Sequence, residues 1–432
     1  MDYKKVAVFW KEFEIPVLKE REIKIKLDHD FITTVTGPRR SGKTYSCFQK
    51  MNELRVSGID KENIFYINFE DDKLLGMNSD GLNVLFEEMR GLSNMNINQK
   101  IYYFLDEIQN VSDWDAWVRT VFDTDKNVKI IVTGSSSKLL SKEISTKLRG
   151  RIYNIEVLPL SFNEYLDWSG VSYNLKRVIA RGKEYGKIKN VFDEYLFEGG
   201  YPAIFFNKEM KSEVLQSYLD SMILKDVVER YNLRDVKKIE ILLKLLFDGI
   251  TKDLSYNNLM NRMKSMGFDI GKETIMNYIS YFEEAYLFFQ VLKYEYSMSR
   301  QLGSIKKIYA IDNGLLNAVS FNFSKNYGKL LENLVFLYLY RRGKIYYNRD
   351  KFECDFLVKE KDRVVSAIQC CYDLNVDNRD REISGLIEAM DKFGLKEGLI
   401  LTYDSSEVIL EKGKKVVVKP VFIWMLEEFG NR

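Results

Sequence analysis

The sequence predicts an α/β protein, and three features of the chain support that prediction. A β-branched run, "FITTVT" at 31–36, leads directly into a glycine-rich loop and then into a helical stretch. Helical periodicity dominates the middle of the chain, from about residue 162 to 248. Strand and helix patterns alternate again toward the C-terminus. With 432 residues, the chain is long enough for two or three domains that each bury a hydrophobic core.

The composition is that of a globular protein and argues against several classes of function. Hydrophobic residues make up 46% of the chain and charged residues 30%. The 65 basic and 63 acidic residues leave a net charge of +2, so any contact with nucleic acid must come from local patches. The four cysteines form no CxxC pair, which argues against a thiolate zinc site and a disulfide framework. His29 is the only histidine, which argues against Ser-His and Cys-His mechanisms.

Targeting signals are the next feature of the sequence. The start of the chain, "MDYKKVAVFWKEFEIP", lacks the apolar core of a signal peptide. No stretch approaches the run of about 18 apolar residues that a membrane helix needs. We therefore expect a cytoplasmic protein with no membrane partner.

The glycine-rich loop is the strongest functional motif. Residues 37–44 read GPRRSGKT and fit the pattern GxxxxGK[ST], between a strand and a helix as that motif requires. Its glycines let backbone N–H groups point at phosphate oxygens, Lys43 reaches the β- and γ-phosphates, and the Thr44 hydroxyl ligates Mg²⁺. Pro38 has no N–H, so we expect the backbone from Arg40 to Tyr45 to form the cradle. The motif predicts ATP and Mg²⁺, bound by Gly37, Arg40, Ser41, Gly42, Lys43, Thr44 and Tyr45.

A second motif, "KIYYFLDEIQN", is an apolar strand that ends in two carboxylates. Asp106 is expected to hold Mg²⁺ through water, and Glu107 to polarise the attacking water. This is the expected form of a Walker B strand, and a carboxylate directly after its aspartate favours ATP hydrolysis over simple nucleotide binding. The alternative is an ordinary solvated acidic strand end.

Two further groups of polar residues follow. Thr133 and Ser135 end the strand "VKIIVTG" and are candidates for contact with the γ-phosphate or the water, with a turn-forming serine cluster as the alternative. Arg149 and Arg151 flank a glycine just before the next strand. Either arginine could act as an arginine finger toward a neighbouring subunit, or simply pair with a surface carboxylate. A finger acting in trans predicts a homo-oligomer.

Taken together, these segments resemble a known family. The stretches "TGPRRSGKTY", "YINFEDD", "YFLDEIQN", "VTGSSSKLL", "LRGR", "LPLSFNEYL" and "EGGYPAIF" resemble the prokaryotic "archaeal ATPase" family, over nearly the whole chain. The resemblance implies an AAA-type, STAND-like P-loop ATPase with a winged helix and a C-terminal PD-(D/E)XK, restriction-endonuclease-like domain. It implies an ATPase core at 1–161, a helical lid at 162–248, a winged helix at 249–320 and the nuclease-like domain at 321–432.

The stretch "EYLFEGGYPAIFF" also resembles the GxP segment of STAND-type signalling ATPases, carried here by Gly200 and Pro202. In that class the proline lies near the adenine base, so the resemblance adds Pro202 to the predicted nucleotide-binding residues. The alternative is a Gly-Gly-x-Pro turn between two helices.

The region implied to be a winged helix reads as a helix, a turn at Gly267, a second helix from near Lys272, and then two strands. A helix-turn-helix with a β-wing is an arrangement that docks on DNA. The side chains expected to face a groove are Lys272, Thr274, Asn277 and Tyr278. The opposite, core-facing side carries Ile275, Ile279 and Phe282. Against DNA contact, Glu273, Glu283 and Glu284 repel phosphate, and winged helices also serve as protein-contact domains.

The C-terminal region matches part of the nuclease pattern that the resemblance implies. That pattern has a glutamate on a helix, an aspartate on a strand and (E/Q)xK on the next strand, matched here by Glu332, Asp355 and Gln369. Its carboxylates hold Mg²⁺ and its lysine positions or activates water. Cys371 stands where the lysine belongs, and a cysteine cannot supply the positive charge.

The missing lysine leaves several interpretations open. Lys359 or Arg379 could substitute for it; alternatively, the fold is retained for binding DNA or a protein, or the carboxylates are ordinary surface groups. Three functions of the whole chain follow. The first is an ATPase that remodels or switches on duplex or branched DNA. The second is a STAND-like regulatory ATPase that contacts a protein partner. The third is an ATP-dependent nuclease.

Overall fold

The computed structural model describes residues 2–135, 148, 150–319 and 326–430. Two compact units make up the chain. The first comprises Met1–Leu158 with Glu284–Tyr286, and the second comprises Pro159–Glu283 with Leu287–Arg432.

The first unit contains a five-stranded sheet whose neighbouring strands are all parallel. Its strands are β1 (Ile32–Thr36), β2 (Ile64–Asn68), β3 (Ile101–Asp106), β4 (Val128–Gly134) and β5 (Ile152–Glu156). They lie in the order β2-β3-β4-β1-β5, so β4 separates β1 from β3. Parallel strands that are covered on both faces are mostly apolar, as β2, β3 and β4 are; β1 is buried but carries three threonines, and β5 is partly exposed. The carboxyl ends of β1, β3 and β4 therefore meet at one edge of the sheet.

Helices cover both faces of this sheet. They are α1 (Tyr3–Lys11), α2 (Lys43–Val56), α3 (Ser79–Gly91) and α4 (Trp114–Thr124). Side chains of α1, α3 and α4 share a hydrophobic cluster with Tyr103 and Leu105 of β3. Side chains of α2 share a second cluster with Tyr102 and Phe104 of the same strand. Because successive side chains of a strand point to opposite faces, β3 contributes to both cores.

The second unit begins with helices. They are α5 (Phe162–Trp168), α6 (Leu175–Ile179), α7 (Lys183–Glu198), α8 (Pro202–Phe206), α9 (Lys211–Ser221) and α10 (Val236–Asp248). A capping box starts α5: the Glu164 N–H donates to Ser161 Oγ at 3.0 Å, and the Ser161 N–H donates to Glu164 Oε2 at 2.8 Å. A π-helical segment, Met222–Glu229, continues from α9 and encloses the buried Asp226.

A nine-stranded mixed sheet follows in the same unit. Its strands are β6 (Asp253–Leu254), β7 (Phe288–Lys293), β8 (Lys306–Ala310), β9 (Lys344–Arg349), β10 (Glu353–Glu360), β11 (Arg363–Cys370), β12 (Glu397–Thr402), β13 (Glu407–Glu411) and β14 (Lys414–Pro420). They lie in the order β13-β14-β12-β11-β10-β9-β7-β8-β6. The two strands that the sequence assigns to the wing, β7 and β8, therefore lie in the same sheet as the C-terminal strands.

The remaining helices surround this sheet. They are α11 (Tyr256–Ser265), α12 (Lys272–Glu284), α13 (Met298–Gly303), α14 (Asn313–Val319), α15 (Tyr327–Tyr340), α16 (Arg379–Phe393) and α17 (Val421–Gly430). Gly267 has a φ of +85° in the turn between α11 and α12, a conformation that favours glycine. Ile275, Ile279 and Phe282 are fully buried. Within the described residues, no helix has both the length and the apolar character needed to cross a membrane.

Candidate functional sites

The loop between β1 and α2 has the backbone shape of a phosphate cradle. Gly37 has a φ of +147°, and a Cβ there would lie 2.0 Å from the carbonyl oxygen of Val157. Gly42 has a φ of +99° and is the N-cap residue of α2, where a glycine offers no side chain to the first N–H groups of the helix. The first N–H groups of a helix have no partner within the helix, and together with the helix dipole they attract an anion.

Ser41 gives independent evidence that this loop fits a ligand. Its hydroxyl is buried, and among the described residues Ser41 Oγ has no hydrogen-bond partner. A buried polar atom without a partner costs about 1–3 kcal/mol, which a bound oxygen would recover. The predicted phosphate contact of Ser41 therefore agrees with an unsatisfied atom in the cradle. Tyr45, by contrast, exposes half of its side chain and stacks edge-on with Phe48.

A buried arginine that the sequence did not single out anchors the loop. Arg21 is 5% exposed; its Nη1 donates to the Ser41 carbonyl at 2.8 Å and its Nη2 to the Leu158 carbonyl at 2.9 Å. Its backbone exchanges two hydrogen bonds with the Gln49 side chain on α2. The strongly charged stretch "KEREIKIK" around this residue resembles a solvated segment, so its pattern carries little signal for a buried role.

Lys43 lies folded inside the loop. The residue is only 4% exposed, and its ammonium donates to the carbonyls of Gly37 at 3.2 Å and Pro38 at 3.0 Å. The same Nζ lies 3.5 Å from Glu107 Oε1. The two residues that the sequence predicts for phosphate binding and water activation therefore form an ion pair.

Asp106 is the centre of a buried polar network at the end of β3. Its Oδ2 accepts hydrogen bonds from Thr44 Oγ1 at 2.7 Å and from the Tyr66 hydroxyl at 2.9 Å, while its Oδ1 accepts from Thr133 Oγ1. Burial raises the pKa of Asp106, and the neighbouring charge of Glu107 adds to that shift. A hydroxyl and a carboxylate in contact are hard oxygen donors of the kind that Mg²⁺ prefers. Thr44 and Asp106 thus fit the predicted metal role, and Tyr66 is an additional partner.

Hydrogen bonds fix both the backbone and the side chain of Glu107. It has a φ of +51°, its N–H donates to Thr133 Oγ1 at 2.9 Å, and its Oε2 accepts from Gln109 Nε2 at 2.5 Å. Burial favours a higher pKa for this carboxyl, but the Lys43 charge and the Gln109 hydrogen bond outweigh it, so the pKa of Glu107 lies below its usual value. The carboxylate is therefore ionised at neutral pH. Thr133 connects the two acidic residues, as a polar residue at the end of β4 can.

The other residues that the sequence predicts for this site are Ser135, Arg149 and Arg151. Ser135 is buried just after β4. Arg151 donates from Nη1 to Asp123 Oδ2 at 2.8 Å, and both side chains are partly exposed. This ion pair is the surface alternative that the sequence left open. Arg149 lies outside the described residues, and the finger role of either arginine stays a prediction.

The Gly-Gly-x-Pro segment is bound tightly within the second unit. Pro202 is the first residue of α8, and the Gly200 N–H donates to Asp312 Oδ2 at 2.7 Å. The Gly200 carbonyl accepts from the Leu160 N–H at 2.6 Å. Burial raises the pKa of Asp312 to about 6, although backbone N–H groups oppose that shift. The turn is fixed by these contacts, and the adenine contact of Pro202 stays a prediction.

The residues predicted to meet DNA differ in how accessible they are. Lys272 and Asn277 are exposed on α12, and Thr274 is half-buried. Tyr278 is only 8% exposed, so it offers little surface to a groove. The accessible face of α12 consequently carries one cation among the four predicted contacts.

A buried charge cluster lies where the nuclease-like site was expected. Glu332 on α15 and Asp355 on β10 come together, but around the ammonium of Lys307 on β8. Burial raises the pKa of Glu332 to about 8, with the Lys307 charge opposing the shift. Gln369 faces away: its Oε1 accepts from the Asp355 N–H at 3.2 Å, and its Nε2 donates to Glu382 at 2.6 Å.

The residues considered as substitutes for the missing lysine lie elsewhere, which corrects that expectation. The Lys359 ammonium lies 5.9 Å from the ring centroid of Tyr294. Arg379 forms two hydrogen bonds with Glu407, at 2.7 and 2.9 Å. The cation at the cluster is Lys307, whose only signal in the sequence is a pair of lysines inside the apolar strand "IKKIYAI".

The parallel sheet with β4 between β1 and β3, the loop at 37–44 and the acidic pair at the end of β3 define an AAA-type P-loop ATPase core. The family model of the AAA domain matches residues 29–166, which confirms the ATPase class predicted from the sequence. A second family model, described as a domain of unknown function (DUF8612), matches residues 189–326.

Relatives extend over almost the whole chain. Uncharacterized protein MJ1544 of Methanocaldococcus jannaschii is 38% identical over 419 residues, which cover 94% of this chain and 90% of that protein. The chain belongs to the same protein family as MJ1544. An uncharacterized protein of Haemophilus influenzae is 29% identical over 414 residues, covering 93% and 95% of the two chains. The Walker-type ATPase PABY2304 of Pyrococcus abyssi aligns with a TM-score of 0.44 at 13% identity, covering 74% of this chain and 94% of that structure.

Proposed function

We propose that the chain binds ATP with Mg²⁺, hydrolyses it, and uses the reaction to switch or remodel DNA. The observation that carries the ATPase proposal is the buried polar network that joins Lys43, Thr44, Asp106, Glu107 and Thr133. These side chains come from the P-loop helix and from the ends of two neighbouring strands. Nothing in the packing of a hydrophobic core requires such a network, and ATP hydrolysis uses every member of it.

The chain's own residues divide the chemistry as follows. The Ser41 hydroxyl and the first N–H groups of α2 bind phosphate oxygens. The Lys43 ammonium leaves the carbonyls of Gly37 and Pro38 and binds phosphate oxygens as well. Thr44 and Asp106 hold Mg²⁺, which supplies positive charge to the phosphates. Glu107, ionised and oriented by its backbone bond to Thr133, takes the proton of the attacking water.

The ATPase proposal has a direct test in phosphate release with the purified chain. Lys43→Ala is expected to abolish nucleotide binding. Among the described residues of the loop, Lys43 is the only cation that is buried inside the cradle. Lys50→Ala is a matched control, because Lys50 lies on the same helix α2 but pairs with Glu53 at 3.2 Å. Normal ATP affinity in Lys43→Ala would refute the assignment.

The DNA role is supported by the arrangement of α11, α12, β7 and β8. Two helices joined by a glycine turn precede an antiparallel strand pair, with β6 pairing on the far side of β8. This order of elements is that of a winged helix. We propose that duplex or branched DNA docks on the exposed face of α12, through Lys272 and Asn277.

A fluorescence-anisotropy titration with duplex, branched and single-stranded DNA tests this role. Replacing Lys272 and Asn277 together by alanine is expected to weaken duplex binding about tenfold, through one phosphate and one polar contact. Lys264→Ala is the matched control, because Lys264 is exposed on the adjacent helix α11. Equal affinities of the wild type and the double variant would place DNA elsewhere or exclude it.

A regulatory ATPase that contacts a protein partner is the alternative. The observation that favours it is the character of α12, where Glu273 and the half-exposed Met276 lie beside Lys272. A mixed polar and apolar surface is better suited to binding a protein partner than to binding a phosphate backbone. An ATPase rate that stays flat across all three DNA forms would favour this alternative over the first proposal.

We also propose that active chains form a homo-oligomer in which Arg149 or Arg151 reaches the nucleotide of a neighbour. Arg151 would have to leave Asp123 to do so, a partly exposed pair of the kind that contributes about 0.2–1 kcal/mol. ATPase activity that rises with protein concentration and is lost on Arg149→Ala or Arg151→Ala would identify the finger. If both variants keep the wild-type rate, neither residue is one.

A further inference from the structure

Lys307 lies at the centre of the C-terminal charge cluster. Its Nζ is 2.6 Å from Glu353 Oε1, 2.9 Å from Asp355 Oδ1 and 3.3 Å from Glu332 Oε1. Its side chain is only 2% exposed. The three carboxylates come from β10 and α15, while the lysine comes from β8. One ammonium therefore draws three acidic oxygens toward a single point.

We propose that the Lys307 ammonium takes the place of a divalent metal ion in this nuclease-like site, so that the site binds no metal and cleaves no phosphodiester bond. The resemblance to PD-(D/E)XK proteins implies a metal held by Glu332 and Asp355. A divalent ion would need oxygens of these same carboxylates, at about 2.0–2.1 Å for Mg²⁺, and Lys307 already engages one oxygen of each. Two cations that share buried ligands repel each other strongly.

Donors other than Lys307 also reach each of the three carboxylates. Asp355 Oδ2 accepts from the Cys370 N–H at 3.0 Å, and Glu332 Oε1 accepts from the Tyr309 hydroxyl at 2.8 Å. Glu353 Oε2 accepts from Arg349 Nε at 2.5 Å. Each carboxylate thus has a second donor within the protein besides Lys307.

The (E/Q)xK strand gives a second, independent indication. Gln369 binds the Asp355 backbone and Glu382, and so presents no oxygen to the cluster. Cys371 belongs to the hydrophobic cluster beneath β10 and β11 instead of the charged one. Both positions that would complete a cleavage site therefore have structural partners. What the cluster does accomplish is to tie β8 to α15 and β10 by charge-assisted hydrogen bonds.

Mn²⁺ binding to the full-length chain without nucleotide tests the inference, measured by isothermal titration and by the Mn²⁺ electron paramagnetic resonance signal. The wild type and Asp355→Asn are expected to give superimposable isotherms, because Asp355 holds no metal. Lys307→Met is expected to gain one Mn²⁺ site, about tenfold or more tighter than any in the wild type, since three carboxylates lose their cation. Adding Asp355→Asn to Lys307→Met should remove that site.

Three results would overturn the inference. The first is Mn²⁺ binding by the wild type that Asp355→Asn abolishes. The second is Mn²⁺-dependent nicking of supercoiled DNA that requires Asp355, which would make Lys307 the missing lysine of an active nuclease. The third is a folded Lys307→Met chain that gains no metal site. If Lys307→Met does not fold, the comparison of the wild type with Asp355→Asn decides by itself. That comparison is independent of ATP hydrolysis.

Discussion

Thr133→Val is the substitution that tests the ATPase site most sharply. Valine has nearly the shape of threonine but lacks the hydroxyl that donates to Asp106 and accepts from the Glu107 N–H at 2.9 Å. The change leaves a buried N–H without a partner and removes one donor from a buried carboxylate. Each such loss costs about 1–3 kcal/mol. If only the cost at Glu107 falls on the transition state, turnover drops by about 5- to 160-fold.

The assay is steady-state phosphate release at saturating ATP, with ATP affinity measured separately. Affinity is expected to change little, because the hydrogen bonds of the Thr133 hydroxyl go to Asp106 and Glu107 and not to the loop at 37–44. Thr133→Ser keeps a hydroxyl on the same strand and should retain most of the activity. Thr34→Val is the matched structural control: Thr34 is a buried threonine on the neighbouring strand β1, and its hydroxyl donates to Asn154 at 2.8 Å. The expected cost of about 1–3 kcal/mol corresponds to a decrease in turnover of at least about fivefold. Turnover of Thr133→Val within about twofold of the wild type would therefore refute the proposed role.

Three other predictions concern the nucleotide site and the charge cluster. Glu107→Gln should bind ATP but turn it over at least about 100-fold more slowly, because an amide takes no proton; wild-type turnover would mean that another residue positions the water. Arg21→Met should lower the melting temperature and weaken ATP binding, since the carbonyl of Ser41 and a second buried carbonyl lose charged donors worth about 1.5–3 kcal/mol each; an unchanged melting temperature would contradict this. The raised pKa of Glu332, about 8 against an ordinary 4.5, means that this carboxyl favours folding at acid pH and loses that contribution as the pH rises from 4.5 toward 8. Glu332→Gln, which keeps an acceptor for Lys307, should therefore gain thermal stability relative to the wild type at pH 8 but not at pH 5, and a difference that is independent of pH would argue against the shift.

Most residues that the structure brings together at the candidate nucleotide site could be predicted from the sequence, for a local reason. The loop at 37–44 is continuous in the chain, and its glycines, lysine and threonine are required by the backbone shape and the phosphate chemistry of the motif. Asp106, Glu107 and Thr133 come from separate strands, but each ends a strand of one parallel sheet. Because parallel strands end at the same edge, their proximity follows from the pattern of strands alone.

The partners of these residues could not be predicted, because residue type and chain position do not indicate them. Arg21 bonds to a carbonyl 137 residues away, and its charged surroundings in the sequence resemble a solvated segment. Tyr66 reads as one aromatic residue in an apolar strand, and only the pairing of β2 with β3 brings its hydroxyl to Asp106.

The C-terminal cluster shows the same division between sequence and tertiary structure most clearly. From the sequence alone, the resemblance predicts that Glu332 and Asp355 occupy the acidic positions of a nuclease-like pattern, which Cys371 leaves without a lysine. Which cation serves the carboxylates was decided only by the tertiary structure, since Lys307 precedes Asp355 by 48 residues and comes from another strand. A buried carboxylate must find a cation or hydrogen-bond donors, but it can take them from any element that the fold brings near. A sequence therefore reveals that such a charge needs a partner, whereas the packing of the strands and helices selects the partner.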